Sequence, residues 1–333
     1  MIDKSIPLVE LHRHLDGNIK PHTILKLAQK HNIEIGAVNL EQVAEKSQIR
    51  DKTADLMAFL QKLDMGASML ADLDACYEVA FENMRDAHVS DLDYIELRFS
   101  PNYMSQAYGL DMADLIEAVA DGIKSGSEKF GVKANLIGTL SRTYGAQNCM
   151  AELNALLHHK DKFVAVDLAG DELGYPAAQF VDHFKKARDA NWNITVHAGE
   201  ADGPQSIWNA INLLGATRIG HGVAALQDKD LMQYMANNKI AVESCPTSNY
   251  QTATVSELKN HPMKVFYENN MMVTLSTDDP AVSNIDLAHE YQIAHEVIGF
   301  NATQLQTIQR NALEAAFLSE DQKKQLKEGK RLV

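Results

Sequence analysis

The chain has little cysteine and no long apolar run. Its three cysteines, Cys76, Cys149 and Cys245, are odd in number and far apart, which excludes a disulfide framework and fits reduced thiols. No apolar stretch approaches the ~18 residues that a membrane-spanning helix requires. Residues 1–7 lack the apolar segment of a signal peptide. We therefore expect a cytoplasmic protein that has no membrane partner.

Positive charge is also scarce. The 333 residues include 31 lysines and arginines against 45 aspartates and glutamates, which gives a formal net charge of −14. A field of this sign repels phosphate backbones, so nucleic acid is not an expected partner. The same field disfavours a phosphorylated small substrate unless a local basic pocket overrules it. The oligomeric state is left open by the sequence.

Eight short apolar runs rich in β-forming residues are present, each followed by a polar or glycine turn. They cover residues 8–15, 94–100, 132–140, 163–169, 194–198, 218–223, 240–245 and 272–277. Stretches with helical periodicity, such as 180–190 and 226–237, lie between them. Strands that alternate with helices predict parallel βα units, and eight such units predict an α/β fold of the (β/α)8 TIM-barrel type. We expect residues 1–333 to form one domain.

The first two predicted strands are much farther apart than any other consecutive pair. The excess predicts a helical insertion over about residues 17–93, with helices that include 56–63 and 70–84. Insertions that follow a barrel strand lie at its catalytic end, so this one is expected to form a lid. The alternative is a group of helices packed on the side of the barrel. The residues that would give the lid an apolar wall are Leu56, Met57, Phe59, Leu60, Leu63 and Met65.

Histidines and an aspartate stand at the ends of several predicted strands. His12 and His14 end the first strand two residues apart, so they share a face. Two imidazoles on a short apolar strand are costly unless something binds them. A barrel brings them to the same mouth as His197, at the end of strand five, and Asp278, directly after strand eight. Three nitrogens and one carboxylate oxygen are zinc ligands, and a catalytic zinc keeps a position for water. The pattern predicts one Zn²⁺ per chain.

Other polar groups share this predicted mouth, and each has an alternative interpretation. His221 ends strand six, while Glu200 and Asp279 follow strands five and eight, where they could instead be helix N-caps. Residues 220–225 match the dinucleotide pattern G-x-G-x-x-A, with Glu243 about twenty residues further on. That interpretation leaves the two N-terminal histidines without a role. Strand four carries no lysine to bridge two metals, which favours a single ion.

Six segments together resemble the adenosine deaminase family, and most closely its bacterial members. They follow the family's order and span nearly the whole chain: residues 12–17, 167–172, 197–200, 218–222, 244–249 and 276–280. The resemblance implies a zinc-dependent barrel that replaces the amino group of adenosine with a water-derived oxygen. It assigns the zinc to His12, His14, His197 and Asp278.

The resemblance also implies roles in catalysis and in substrate binding. Glu200 is expected to begin protonated and to give its proton to N1 of the purine. His221 is expected to orient or help deprotonate the attacking water and to stabilise the developing oxyanion. The implied substrate-binding residues are His14, Asp16, Gly170 and Asp279. Among them, Asp16 holds a ribose hydroxyl, the Gly170 N–H reaches N3, and Asp279 contacts N7.

The implied substrates are adenosine and 2′-deoxyadenosine, in purine salvage. Adenine deaminases typically carry glutamate where this chain has Asp16, and the shorter side chain leaves room for ribose. AMP deaminases need cations for the phosphate, and no basic cluster lies near these motifs. Two other classes remain: an amidohydrolase that cleaves a cyclic amide or ester, and a catalytically silent zinc-binding relative. A silent relative is expected to lose Glu200 or His221, and both are present. Cobalt or iron accept the same ligands as zinc.

Overall fold

The computed structural model describes residues 2–331, and its centre is a barrel of eight parallel strands in sequence order. The strands are β1 Val9–His14, β2 Tyr94–Phe99, β3 Lys133–Ser141, β4 Phe163–Ala169, β5 Asn193–Ala198, β6 Arg218–His221, β7 Ala241–Ser244 and β8 Met272–Leu275. The His14 N–H donates to Asp278 O at 2.8 Å, and the Asp278 N–H donates to His12 O at 3.0 Å. These bonds join β1 to the segment after β8. The predicted (β/α)8 barrel and its eight strands are confirmed.

Sixteen α-helices accompany these strands in the described residues. They are α1 Pro21–His31, α2 Leu40–Ser47, α3 Leu56–Ala67, α4 Leu73–Val89, α5 Pro101–Ser105, α6 Met112–Phe130, α7 Gly145–His158, α8 Val181–Asp189, α9 Pro204–Asn209, α10 Lys229–Asn237, α11 Pro246–Gln251, α12 Met263–Glu268, α13 Pro280–Ser283, α14 Leu287–Glu296, α15 Ala302–Ala315 and α16 Glu320–Arg331. None of the helices within residues 2–331 is both long and apolar enough to cross a membrane.

The main apolar core lies between the strands and the surrounding helices, as the periodicity requires. Val166, Val196 and Val242 on the strands are fully buried and share one cluster with helical residues such as Leu153 and Phe184. Burying such side chains is worth roughly 1.5–3 kcal/mol each. The barrel is thereby a rigid frame, and the ends of its strands hold fixed positions relative to one another.

The interior of the barrel is charged rather than purely apolar. Arg98 on β2 and Arg218 on β6 are fully buried and pair with carboxylates from other strands. Glu243 on β7 contacts both arginines, at 2.8 Å from Arg98 and 2.6 Å from Arg218. Isolated charges cannot remain in such surroundings, so these groups are held as a paired network.

The long connection between β1 and β2 contains α1 to α4. Helix α3 begins after Asp55, whose carboxylate caps it by accepting from the Ala58 N–H at 2.9 Å. The buried Phe59 of this helix packs with Ile49 and Val282. Since Val282 lies just after β8, this contact holds α3 at the mouth of the barrel, in the place expected of a lid.

Candidate active site

Four imidazoles and a carboxylate converge at the C-terminal ends of the strands. Donor atoms of His12, His197, His221 and Asp278 all lie within 4.8 Å of one another. His14 belongs to the same cluster, because its Nε2 is 3.2 Å from His197 Nε2 and 3.4 Å from Asp278 Oδ1. His12 Nε2 is 3.1 Å from the same Asp278 oxygen. The structure therefore brings together the four predicted metal ligands, with His221 beside them.

Buried carboxylates orient two of these imidazoles. His12 Nδ1 lies 2.8 Å from Glu243 Oε2, and His197 Nδ1 lies 3.0 Å from Asp167 Oδ1. Burial opposes ionisation of Glu243, yet the Arg98 and Arg218 guanidiniums hold its pKa well below the ordinary value. An ionised carboxylate accepts from Nδ1–H, which leaves the Nε2 lone pair directed at the cluster. This is the usual arrangement around a histidine that binds a metal.

The electrostatic field at the cluster favours a cation. Burial alone would lower the pKa of His14, but the carboxylates of Asp279, Asp16 and Asp278 raise it to about 9. Bare imidazole nitrogens facing one another and a carboxylate oxygen are stable only when positive charge lies between them. The donor set of nitrogens and one carboxylate suits zinc and related divalent ions. The residues present therefore fit a metal ion.

Two residues of the site occupy a backbone region that side chains rarely adopt. His221 and Asp278 have φ angles of 62° and 65°, in the left-handed region. Such conformations cost of order 1–3 kcal/mol each and persist only where the surroundings impose them. The Ser248 hydroxyl donates to Asp278 Oδ2 at 2.7 Å and helps to fix this carboxylate. The sharp turns after β6 and β8 thus direct both side chains into the mouth.

Glu200 lies in the same mouth, on a loop held by a second carboxylate. Glu172 accepts from the backbone N–H groups of residues 199–202, at 2.5–3.1 Å. Burial raises the pKa of Glu200 well above its ordinary value, and the charges of Asp278 and Glu172 raise it further. Helix α9 begins at Pro204 with Gly203 at its N-cap, so Glu200 is not a capping residue.

Asp279 occupies the N-cap position of α13, but its side chain makes no capping hydrogen bond. Its buried Oδ1 has no partner among the described residues. A Cβ atom on Gly17 would lie 1.5 Å from this oxygen, so glycine at that position leaves the space that Asp279 occupies. The buried Glu200 Oε1 likewise has no partner in the described part of the chain. Both oxygens are free to bind a ligand.

A cavity of about 280 Å³ adjoins these groups. Helix α3 gives it an apolar wall of Leu56, Met57, Phe59, Leu60 and Leu63. The Tyr103 hydroxyl donates to Asp64 Oδ1 at 3.0 Å, which ties this helix to α5. Met65, which the sequence interpretation placed in the same wall, packs instead against the main core. Helix α3 therefore lines the cavity at the mouth of the barrel.

Asp16 and Gly170 also line the cavity. Asp16 Oδ2 accepts from the Ser100 N–H at 3.1 Å, and its Oδ1 is 3.6 Å from His14 Nδ1. Gly170 has a φ of 104°, and a Cβ there would lie 2.5 Å from Thr143 Oγ1. Only glycine combines this backbone angle with this close approach. No described residue that lines the cavity is a lysine or an arginine.

The sequence did not identify the buried residues that position the predicted site residues by hydrogen bonds and ion pairs. Asp167 and Glu172 lay inside a recognised segment but had no assigned role, and Arg98 had none at all. Glu243 had been considered only as the acid of a dinucleotide site, yet it is buried and bonded to His12. Gly222 leads into a short 3-10 turn, Val223–Gln227, and not into the α-helix that a dinucleotide fingerprint requires. The signal that could have identified most of them is a charged residue inside an otherwise apolar strand.

The parallel barrel and the histidine–carboxylate cluster at its mouth define a metal-dependent hydrolase barrel of the amidohydrolase type. The family described as adenosine deaminase matches residues 7–330. The chain belongs to the adenosine deaminase family. The resemblance carried by the six sequence segments is therefore confirmed.

Individual relatives agree with this assignment. An adenosine deaminase from Salmonella schwarzengrund is 52% identical over 328 residues, which is 98% of each chain. An adenosine deaminase from Vibrio parahaemolyticus is 53% identical over the same length and coverage. The crystal structure of an adenine deaminase from Arthrobacter aurescens superimposes with a TM-score of 0.92 over 98% of both chains, at 24% sequence identity. This last similarity concerns the fold.

Replacing Asp167 with asparagine should weaken metal binding. Asp167→Asn keeps the size of the side chain but removes the charge that orients His197, and changes to such partners typically cost about 10–100-fold in metal affinity. Competition with a chromophoric chelator measures the affinity. Asp161→Asn, at an exposed position just before β4, is the matched control. An unchanged affinity in Asp167→Asn would contradict the orienting role.

Adding one methyl group at Gly17 should displace Asp279. Gly17→Ala places a Cβ where the Asp279 carboxylate lies. A shift of about 1 Å in a positioned group can cost roughly 100-fold in rate, so we expect kcat/KM to fall by that order. Gly203→Ala is the control, because a Cβ at Gly203 meets nothing within 4 Å. Full activity in Gly17→Ala, with the metal content checked in both variants, would show that the position of Asp279 is unimportant.

Proposed function

We propose that the chain hydrolyses adenosine to inosine and ammonia, accepts 2′-deoxyadenosine as a second substrate, and uses one Zn²⁺. Family membership and relatives 52% identical over 98% of the chain make it a hydrolase that acts on adenosine. The zinc, the deoxynucleoside and the individual residue roles extend that assignment. His12, His14, His197 and Asp278 would hold the ion. Their convergence and the negative field around them support this ligand set.

A divalent ion bound here would supply Lewis-acid activation of water at neutral pH. Glu200 is the proton donor to N1 of the purine, so that C6 can become tetrahedral without negative charge building up on the ring. This role requires a neutral carboxylic acid at the start of the reaction. Burial and the neighbouring carboxylates favour the neutral acid. The observation that carries the deaminase mechanism is the buried, unpartnered oxygen of Glu200, which lines the cavity beside the cluster.

Other groups orient the purine ring. His221 Nε2 lies 3.6 Å from Glu200 Oε2, so it is placed to contact the oxygen that adds to C6. Purine N7 accepts hydrogen bonds, and it would therefore require a protonated Asp279. Burial, with Asp278 beside it, raises the pKa of Asp279 well above its ordinary value, which supports that state. The Gly170 N–H is assigned to N3.

The sugar is assigned to the other side of the cavity. C6 and N9 lie on opposite sides of the purine, so a ring with C6 at Glu200 directs its ribose away from that residue. Asp16 would accept from a ribose hydroxyl there, with His14 beside it. The wall of helix α3 would exclude water above the base. In this proposal residues 1–333 are one barrel domain whose insertion, about residues 17–93, covers the site.

We place this reaction in cytoplasmic purine salvage. The three cysteines are all buried free thiols, which supports a reducing compartment. The cavity lining without lysine or arginine supports an uncharged nucleoside over a nucleotide. A cyclic amide would give no purpose to a neutral Glu200 or to the unpartnered Asp279 oxygen.

Ammonia release should distinguish these substrates directly. We expect rapid release from adenosine and 2′-deoxyadenosine, little from adenine or AMP, and loss of activity with a zinc chelator. A coupled ammonia assay run in parallel on the four compounds measures this, with zinc added back after chelation as the control. Preference for adenine would contradict the ribose-binding role of Asp16. Absence of ammonia from all four, in protein with confirmed metal content, would contradict the proposal and favour a cyclic amide.

Glu200→Gln should abolish most activity and change its pH dependence. Glutamine cannot supply the proton, and general acid catalysis contributes typically about 10²–10⁴-fold. Because the protonated form is active and its pKa is raised, wild-type kcat should fall as pH rises through that pKa, well above 4.5. Measuring kcat against pH tests both points. Glu257→Gln, at an exposed ion pair with Lys259, is the control. Near-normal turnover in Glu200→Gln would rule out the donor role.

A further inference from the structure

A chain of hydrogen bonds leads from a backbone amide to the ring of His221. Its origin is the Met263 N–H, which donates to His261 Nδ1 at 3.2 Å. A backbone N–H can only donate, so His261 Nδ1 must be the unprotonated nitrogen of this ring. Burial lowers the pKa of His261 to about 3, so the ring is neutral. Its one proton is therefore on Nε2.

The second link is the side chain of Asn249, the last residue of the 244–249 segment. His261 Nε2 lies 3.1 Å from Asn249 Oδ1, so the imidazole donates to the amide oxygen. The amide nitrogen must then face the other way. Asn249 Nδ2 lies 3.0 Å from His221 Nδ1. Since Nδ2 only donates, His221 Nδ1 is the acceptor of this hydrogen bond.

The proton of neutral His221 is consequently on Nε2. Because Nδ1 accepts the Asn249 hydrogen bond, it carries no proton, so the ring cannot be the doubly protonated cation. The surroundings of Nε2 agree with this, because Asp278 Oδ2, which accepts from the Ser248 hydroxyl, lies 3.8 Å from it. A donor is thus bonded to Nδ1, and an acceptor lies on the side of Nε2.

We propose that Asn249 and His261 are positioning residues that hold His221 as the Nε2–H tautomer, so that His221 donates a hydrogen bond in the reaction and does not act as the base. The site of the proton is a property of the fold alone, whereas the consequence for catalysis rests on the proposed function. A neutral imidazole with a proton on Nε2 cannot accept another there. It orients and stabilises the oxygen that adds to C6, and the acid–base steps fall to Glu200.

The fold holds the two positioning residues rigidly. Asn249 and His261 are 0% and 2% exposed, respectively. The Asn249 N–H donates to Cys245 O at 2.9 Å, and its carbonyl accepts from the Val255 N–H at 2.8 Å. His261 is fixed between the short turn Leu258–Asn260 and α12. Reversal of the Asn249 amide would place its Nδ2 against the N–H of His261. The direction of all these hydrogen bonds is therefore set by the first one, from the Met263 N–H to His261.

Nitrogen NMR on the zinc-loaded enzyme tests the tautomer without any substitution. In protein labelled with ¹⁵N-histidine, we expect the His221 ring to show a bare Nδ1 and a protonated Nε2, with His261 the same. The His221→Gln variant identifies the His221 signals by their disappearance. A wild-type proton on His221 Nδ1 overturns the proposal. Since no substrate is present, this outcome is separate from any failure of the ammonia assay.

Asn249→Asp reverses the polarity at the centre of the chain. The carboxylate faces His221 Nδ1 with an acceptor, so a proton should appear on Nδ1 in the same spectrum. If Nδ1 stays bare in folded Asn249→Asp, residue 249 does not set the tautomer and the proposal is wrong.

A matched pair at His261 tests the effect on catalysis. His261→Gln retains an N–H donor for Asn249 Oδ1, while His261→Leu removes it at similar size. We expect kcat to fall about 10–100-fold in His261→Leu, as for other residues that orient a catalytic group, and to recover most of that loss in His261→Gln. Unfolding temperature and zinc content are measured in both. Equal losses in the two variants, or losses that follow unfolding temperature alone, overturn the positioning role.

Discussion

Glu243 is held between two guanidinium groups inside the barrel, and the geometry of the histidine–aspartate cluster depends on it. Arg98 and Arg218 lie 2.8 Å and 2.6 Å from its two oxygens, and His12 Nδ1 lies 2.8 Å from one of them. Without these cations, a carboxylate at this depth would be neutral. Because it is ionised, His12 must direct its bare nitrogen towards the mouth. The charged interior thus determines which atoms the site offers.

Ion pairs of this kind contribute little net stability, since desolvation offsets much of the attraction. In this barrel the ion pairs mainly fix the positions of the side chains that they join. The same solution recurs outside the barrel, where buried carboxylates hold the loops after the strands. Glu172 accepts hydrogen bonds from the N–H groups of residues 199–202. Glu152 accepts from the Ser100 hydroxyl and from the Asn102 and Ser141 N–H groups. Polar groups at the mouth therefore rest on a second layer of polar groups that cannot move independently.

The cavity combines two environments that the proposed chemistry needs at once. Charged and imidazole groups form its floor, while helix α3 supplies an apolar wall. Low polarity above the floor strengthens electrostatic contacts within it and raises the pKa of buried acids such as Glu200. Helix α3 and Glu200 thus act on the same cavity, although they come from distant parts of the chain. The hydrogen bond from Tyr103 to Asp64 holds helix α3 against α5, which directly follows β2.

The eight strands, their order and the candidate ligands could be predicted from the sequence because they depend on local pattern. Side chains alternate between the two faces of a β-strand, so His12 and His14 lie on the same face. Polar residues at the C-terminal ends of the strands indicate where the mouth of the barrel lies. The hydrogen-bond partners of these histidines were decided only by the tertiary structure. Glu243 is 231 residues from His12, and Asn249 is 28 from His221, so no periodicity relates them. Their contacts exist only once the barrel closes, and those contacts determine which nitrogen of each histidine carries its proton.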